Sequence, residues 1–502
     1  MDFDALRDMV KTITRNKVKN IEVLGNPGGE ASMIDSFYDA ISKDRVKTDE
    51  EAAKFLYGKN ESPKSPAYLR LKGRLERSLL NTVFFVDVNQ PMFNERAKAF
   101  YNCYRDFAAG TILLMREARK SAFHVLEQVL EQAMKYEFVP LAADTARMLR
   151  YESKRFGDTK QHEKYSRLAK ELDNMRQMEA KGEEYVEELV HYYIVRRSPN
   201  VKVCEMARRF HAELSSLVKA DSTAQFLNYA GQVGLIKCLA ENDAKGALKI
   251  CDETLSELKK RKNANRGALA HFAINKVACM MQLRIFGAEV EECVTYALSL
   301  EEEQTFNWFR VKELYLHYLL FARRYEEALE VYEKTSGQPK FESLSGAVRD
   351  NWHLYGGYLH LLAAFGKLNA AKVEAAVGPY AYVELSKELE VLDDDKHGMN
   401  IPVVMLAILR YVATKGNSED VSLEALEKYR RRYLDNEMNA RSAAFLNMLI
   451  AYVRKNFDFR SAERIINREK EILASIQPQV AGQTFAVEII PYEDLWEMMF
   501  KK

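Results

Sequence analysis

The chain has 502 residues, enough for two or three ordinary domains or for one elongated array. Hydrophobic residues make up 47% and charged residues 29%, a balance that excludes wholesale disorder. The 74 basic and 73 acidic side chains leave a formal charge of +1, so no global field draws the chain to nucleic acid or to an anionic membrane, and only a local patch remains open.

With 11 Pro and 22 Gly the chain has few breakers, and Ala, Leu, Glu, Lys, Arg and Met fill most segments, which favours helix. Cys103, Cys204, Cys238, Cys251, Cys279 and Cys293 form no C-x-x-C pair, and the expectation is small buried thiols in a reducing compartment. The opening stretch carries acids and no apolar core of a signal peptide. The most apolar runs, 108–115 and 403–412, are too short to cross a bilayer. A cytoplasmic protein without a membrane partner is expected.

Along the chain, Asp4–Thr14 reads as a helix and Asn20–Leu24 as a short strand or a turn, followed by a loop forced by Gly25-Asn26-Pro27-Gly28-Gly29. Two short amphipathic helices follow near Ser32–Ser42 and Thr48–Leu56. After the loop Gly58–Pro66, a strong helix is predicted over Ala67–Phe85, because Tyr68, Leu71, Leu75 and Leu79 recur at three- and four-residue spacing. A loop at Asp87–Pro91 precedes long helical stretches through Glu137. From Phe138 onward, helical runs of 12 to 20 residues alternate with short polar or Gly-containing breaks. Sustained two-residue alternation is confined to Thr484–Ile490, so the fold class is all-α. Pro478–Gln483 breaks the last long helix, and Pro491–Trp496 opens a short amphipathic helix that either caps the array or docks on a partner.

Within the long helical region a small residue recurs three positions after a bulky one. In Arg324–Tyr332 the series is Tyr325, Ala328, Tyr332, following a helix that carries Trp308. Similar segments surround Ala247, Cys293, Ala371, Ala425 and Ala462, and the successive intervals, taken with Ala328, are 46, 35, 43, 54 and 37 residues. A small residue there lets one helix lie close against its neighbour.

Asn351-Trp352-His353-Leu354-Tyr355-Gly356-Gly357-Tyr358-Leu359 resembles the W-x2-L-G-x2-Y opening of the tetratricopeptide (TPR) family, with Tyr355 and Leu359 as departures. The resemblance covers about residues 138 to 475, with Phe138–Leu172 as an earlier repeat turning at Phe156-Gly157-Asp158. The scattered intervals make it a divergent form, and an irregular helical bundle is the alternative. The domain reading is an N-terminal helical domain over 1–137, TPR-like repeats over 138–475, and a C-terminal capping segment over 476–502. The resemblance implies a superhelix of helical hairpins whose first helices line a concave groove. It also implies that Asn228, Asn275, Asn351 and Asn447, each in an expected first helix, are candidates to hold a peptide backbone through their amides. Arg310, Lys312 and Lys276 would add charge to that groove.

The search for chemistry finds no H-E-x-x-H, no G-x-S-x-G, no P-loop and no dinucleotide fingerprint. Gly25–Gly29 lacks the Lys-Ser/Thr pair that holds phosphate and Mg²⁺. The nine histidines are scattered, and His353 and His360 share a helix face without a completing ligand. Asp393-Asp394-Asp395 beside His397 lacks the alternating ligands of a calcium loop. No catalytic residue, metal or cofactor is assigned. The expected function is a protein- or peptide-binding scaffold of unidentified partner. The alternative is a regulator whose basic helix, with Arg70, Arg74 and Arg77 at i, i+4 and i+7, enters the DNA major groove while the repeats sense a partner. An enzyme without a recognisable motif stands third.

Overall fold

Residues 2–15, 33–58, 62–89, 93–196, 201–261, 264–379, 401–415, 423–434, 439–478 and 488–500 are described in a computed structural model. The segment 20–24, the glycine cluster 25–29, the aspartates 393–395 with His397, and residues 484–487 lie outside these ranges. Among the described residues every regular element is a helix: twenty-two α-helices and one 3₁₀ turn. The all-α expectation therefore holds, and no described helix is long and apolar enough to cross a membrane. The chain divides into two compact units, Met1–Arg176 and Gln177–Lys502, with the division inside one long helix.

The first unit begins with α1 (Phe3–Arg15), α2 (Met33–Ser42), α3 (Asp49–Tyr57) and α4 (Pro66–Val83). Their apolar stripes meet in one core that includes Leu6, Val10, Phe37, Ile41, Tyr68, Leu71 and Leu75. The ends are set locally. Thr48 caps α3 by accepting from the Glu51 amide, and Ser65 caps α4 with Pro66 in its first turn. Asp49 joins the two helices, accepting from Tyr68 Oη at 2.5 Å and from Lys72 Nζ at 2.8 Å. The unit continues with α5 (Glu95–Met115), α6 (Arg119–Lys135), α7 (Val139–Arg155) and the first part of α8 (Thr159–Arg196). Leu126, Leu130, Leu141, Leu149, Tyr165 and Leu172 form a second core there.

At 38 residues α8 is far longer than the 12 to 20 expected. It contains no Pro, and its single glycine, Gly182, packs tightly: an added β-carbon would lie 2.8 Å from Tyr229 Cβ.

The second unit takes the rest of α8 with α9 (Val201–Leu217), then six pairs of consecutive helices. These are α10 (Ala224–Ala240) with α11 (Ala244–Lys260), α12 (Arg266–Gln282) with α13 (Ala288–Leu300), and α14 (Phe306–Phe321) with α15 (Tyr325–Ser336). After them come α16 (Gly346–Ala364) with α17 (Ala370–Val377), α18 (Ile401–Ala413) with α19 (Leu423–Tyr433), and α20 (Ala440–Arg454) with α21 (Phe459–Ser475). The short α22 (Tyr492–Phe500) closes the chain.

The turns inside these pairs repeat one device. After α10, α12, α14, α16 and α20 the backbone turns left-handed, at Asn242, Arg284, Arg323, Gly366 and Asn456, with Phe457 left-handed as well after α20. The next amide but none further bonds back five residues, Asp243 to Cys238 at 2.8 Å, Ile285 to Met280 at 2.8 Å, Arg324 to Leu319 at 2.9 Å, Lys367 to Leu362 at 2.8 Å and Phe457 to Tyr452 at 3.1 Å. This is the Schellman closure, which satisfies the carbonyls left open at a helix end. Glu137 does the same between α6 and α7.

The small-residue expectation holds at Ala247, Ala328 and Ala462, all buried, but not at Ala371 and Ala425, which are exposed. In α17 and α19 the packed positions are instead Val373 and Leu426. Trp352 is wholly buried beside Tyr332, Phe341 and Tyr355. Gly356 has a steric reason in the same place, since a β-carbon there would come within 2.7 Å of Val377 Cγ1 and 2.9 Å of Tyr332 Oη.

Candidate functional site

In α14, Arg310, Glu313 and His317 stand at i, i+3 and i+7 and so share one stripe of an otherwise apolar helix. Arg310 Nη1 donates to Glu313 Oε2 at 2.6 Å, and the Asn351 amide of α16 favours the charged form of the same buried carboxylate. Burial pushes the Glu313 carboxyl above its ordinary pKa, and the Arg310 charge and the Asn351 amide pull against that rise. Two expected groove residues, Arg310 and Asn351, are thus brought together, and what joins them is Glu313, which the sequence reading did not single out. Its signal was an acid three residues after a base in a helix with few other charges.

One turn further along the stripe, His317 is buried and its Nε2 donates to the backbone carbonyl of Glu488 at 2.7 Å. Desolvation pushes the imidazole down to about 4, so the ring is neutral around pH 7. Residues 488–500 therefore lie against α14, and they lie equally against α20 and α21.

Arg441, in the first turn of α20, is the centre of that contact. Its Nε and Nη2 grip the Glu488 carboxylate at 2.6 and 3.0 Å in a two-pronged fork. Nη1 donates to the carbonyls of Leu473 and Ile476 at 2.5 and 2.7 Å, capping the end of α21, and Nη2 also reaches Glu493 at 2.9 Å. All five guanidinium donors are used, which is what permits an arginine at 1% exposure. Around it, Tyr492 stacks on Phe445 with ring centres 4.5 Å apart and shares a hydrogen bond with Ser442. Trp496 packs near Tyr452 and Phe459, with Lys470 Nζ 5.6 Å from its ring centre. At the rim, two of the left-handed turn residues aim their side chains at α22: Arg284 pairs with Glu493 at 3.0 Å, and Arg323 pairs with Asp494.

The remaining expected site residues are placed differently. Asn228 and Asn275 are nearly buried, and their amides are engaged within their own helices, by Gln232 at 3.0 Å and by the His271 carbonyl at 2.8 Å. Asn447 is half-buried in α20. Counted back from the left-handed turn, Asn275 and Asn447 each sit nine residues before it, whereas Asn228 and Asn351 sit fourteen and fifteen before it. The four amides therefore form no single row, because five or six residues of helix separate the two levels by about 8 Å. Lys276 is taken up by Asp252 and Glu289, and Lys312 lies over the Trp308 ring.

In the first unit, Arg70, Arg74 and Arg77 are all exposed on the side of α4 away from Tyr68, Leu71 and Leu75, and Arg70 Nε donates to the Pro66 carbonyl. A cleft of about 860 Å³ opens between α6 and α8, lined by His124, Glu127, Glu131, Lys164, Tyr165 and Glu171 among others. Tyr165 Oη donates to Glu127 across it at 2.5 Å. Among the described residues no group of three or more His, Cys, Asp or Glu is placed to hold a metal ion. No family model, no curated protein and no solved structure matches the chain.

Proposed function

We propose that the chain is a protein- or peptide-binding scaffold whose helical pairs form a divergent TPR-like superhelix, with binding through the face made by its first helices. The supporting observation is that this face already holds a peptide segment: α14 and α20 grip the Glu488 backbone and carboxylate, and aromatic side chains of α20 and α21 enclose the helix that follows. A row of helical pairs offers a long surface for such contacts without any reactive group. The reading requires no catalysis and no cofactor.

The test is affinity purification of the full-length chain with quantitative mass spectrometry, beside a variant carrying Arg310→Ala and Asn351→Ala whose fold is checked by circular dichroism. A partner recovered with the wild type and depleted at least about tenfold with the variant supports the reading. A partner retained equally by the folded variant, or no partner at all, overturns it.

The exposure of Arg70, Arg74 and Arg77 on one helix face favours a second reading, a regulator that binds duplex DNA through α4. Its test is duplex affinity at two salt concentrations for the full chain and for the triple alanine variant. An affinity indifferent to the triple change removes this reading.

A further inference from the structure

We propose that the surface formed by α14, α20 and α21 is a recognition site that Glu488–Phe500 occupies in cis, and that the segment it accepts in trans is an acidic, aromatic amphipathic helix. The inference rests on the scaffold reading and names the chemistry of the partner.

The chemistry follows from what the site leaves unsatisfied when Glu488–Phe500 is lifted away. Arg441 keeps its two carbonyl partners, Leu473 and Ile476, but loses both carboxylates. A segment that covers Arg441 as fully as Glu488–Phe500 does, to 1% exposure, but brings no counter-charge leaves a buried guanidinium unpaired, so a replacement must bring a carboxylate to it. His317 requires a backbone carbonyl beside that carboxylate, because its neutral ring donates through Nε2. Five and six residues on, the rim arginines Arg284 and Arg323 call for further acids, as Glu493 and Asp494 supply now. Between these charges Phe445 calls for a flat ring, and the pocket by Tyr452, Phe459 and Lys470 for a Trp-sized one. The pattern is a carboxylate four residues ahead of a short helix that carries an aromatic, an acidic pair and a tryptophan. A segment lacking the first carboxylate is rejected by the unpaired guanidinium, which makes Arg441 the specificity filter.

The cis copy competes at an effective concentration on the order of millimolar, set by its tether. Wild-type protein therefore takes up little added peptide, and any change that loosens the cis copy raises the competent fraction and the apparent affinity together.

The experiment uses the full chain and a fluorescent synthetic peptide spanning residues 488–500, with binding read by anisotropy. The full-length variant carrying Leu495→Ala and Trp496→Ala is expected to bind the peptide at least about tenfold more tightly than the wild type does. The same peptide with Glu488→Gln is expected to lose most of that gain. Uptake no better than wild type by a variant that keeps its helical spectrum and cooperative melt overturns the proposal, as does indifference to Glu488→Gln in the peptide. If the variant does not fold, hydrogen exchange of the wild-type chain decides. Amides of 492–500 that exchange at least about tenfold faster than those of 444–454 support a detachable occupant, and equal protection overturns it. The scaffold reading fails separately, when no partner depends on Arg310 and Asn351, so the two failures are distinguishable.

Discussion

Arg441 and Glu488, forty-seven positions apart, form a wholly buried two-pronged ion pair, with Nε to Oε1 at 2.6 Å and side-chain exposures of 1% and 0%. The guanidinium and the carboxylate are tolerated inside the core because they pair there, with Glu493 as a second carboxylate on Arg441 at 2.9 Å.

Breaking this pair from one side is expected to be costly. Arg441→Met should lower stability by about 3–5 kcal/mol, because it leaves the Glu488 carboxylate buried without the guanidinium, whereas Glu488→Gln should cost less, because Arg441 keeps Glu493. The combination of Arg441→Met with Glu488→Leu should cost less than the sum of the two single changes. Thermal melts of the four proteins check this, and additive effects would show that the two residues are not coupled.

Two glycines should respond with opposite signs. Gly356→Ala places a methyl group within 2.7 Å of Val377 and 2.9 Å of Tyr332, and is expected to destabilise by about 1–3 kcal/mol. Gly73 lies inside α4 with nothing within 4 Å of an added β-carbon, so Gly73→Ala should stabilise by about 0.5–1 kcal/mol. Denaturant midpoints measure both.

The buried histidine sets a pH dependence. His317 is held down to about 4 by desolvation in the folded chain and returns to about 6.5 on unfolding. The unfolded state therefore binds more protons between those values, so stability is complete above about pH 6.5 and falls as the pH drops toward 4. This group alone should remove about 3 kcal/mol across that window. His271, also pushed down by burial, contributes with the same sign. Melting temperatures of wild type and His317→Gln from pH 7 to 4 are the measurement, and parallel curves would count against the assignment.

Thiol reactivity should follow burial. Cys204 and Cys293 are half-buried, whereas Cys103, Cys238, Cys251 and Cys279 are buried. Desolvation also raises the Cys103 thiol to about 11, which keeps it protonated and slow at pH 8. A chromogenic disulfide reagent at pH 8 should modify the first two in the native protein and the other four only in denaturant. Rapid modification of all six would contradict the packing described.

The local elements were legible because their causes are local. Tyr68, Leu71, Leu75 and Leu79 mark the buried stripe of α4, and Ser65 with Pro66 marks its start. The turns were harder to read, because four of the five left-handed residues that close the second-unit pairs are Asn or Arg rather than Gly, and no residue type announces them. The small residue of each pair was legible at Ala247, Ala328 and Ala462, where it faces a neighbouring helix. It misled at Ala371 and Ala425, where a shift of one or two residues turned it outward.

Composition and periodicity thus determined by themselves that the regular elements among the described residues are helices, because helix formation is encoded within a few turns of sequence. The candidate site was decided only by tertiary structure. Arg310 and Asn351 meet through Glu313, and His317 meets Glu488 across 171 positions. Such contacts depend on how each helix is rotated and where it is placed, and neither quantity leaves a periodic trace in the chain. A buried charge also looks, in sequence, like any of the 74 basic residues that face water, and only the burial of Arg441 beside its carboxylates sets it apart.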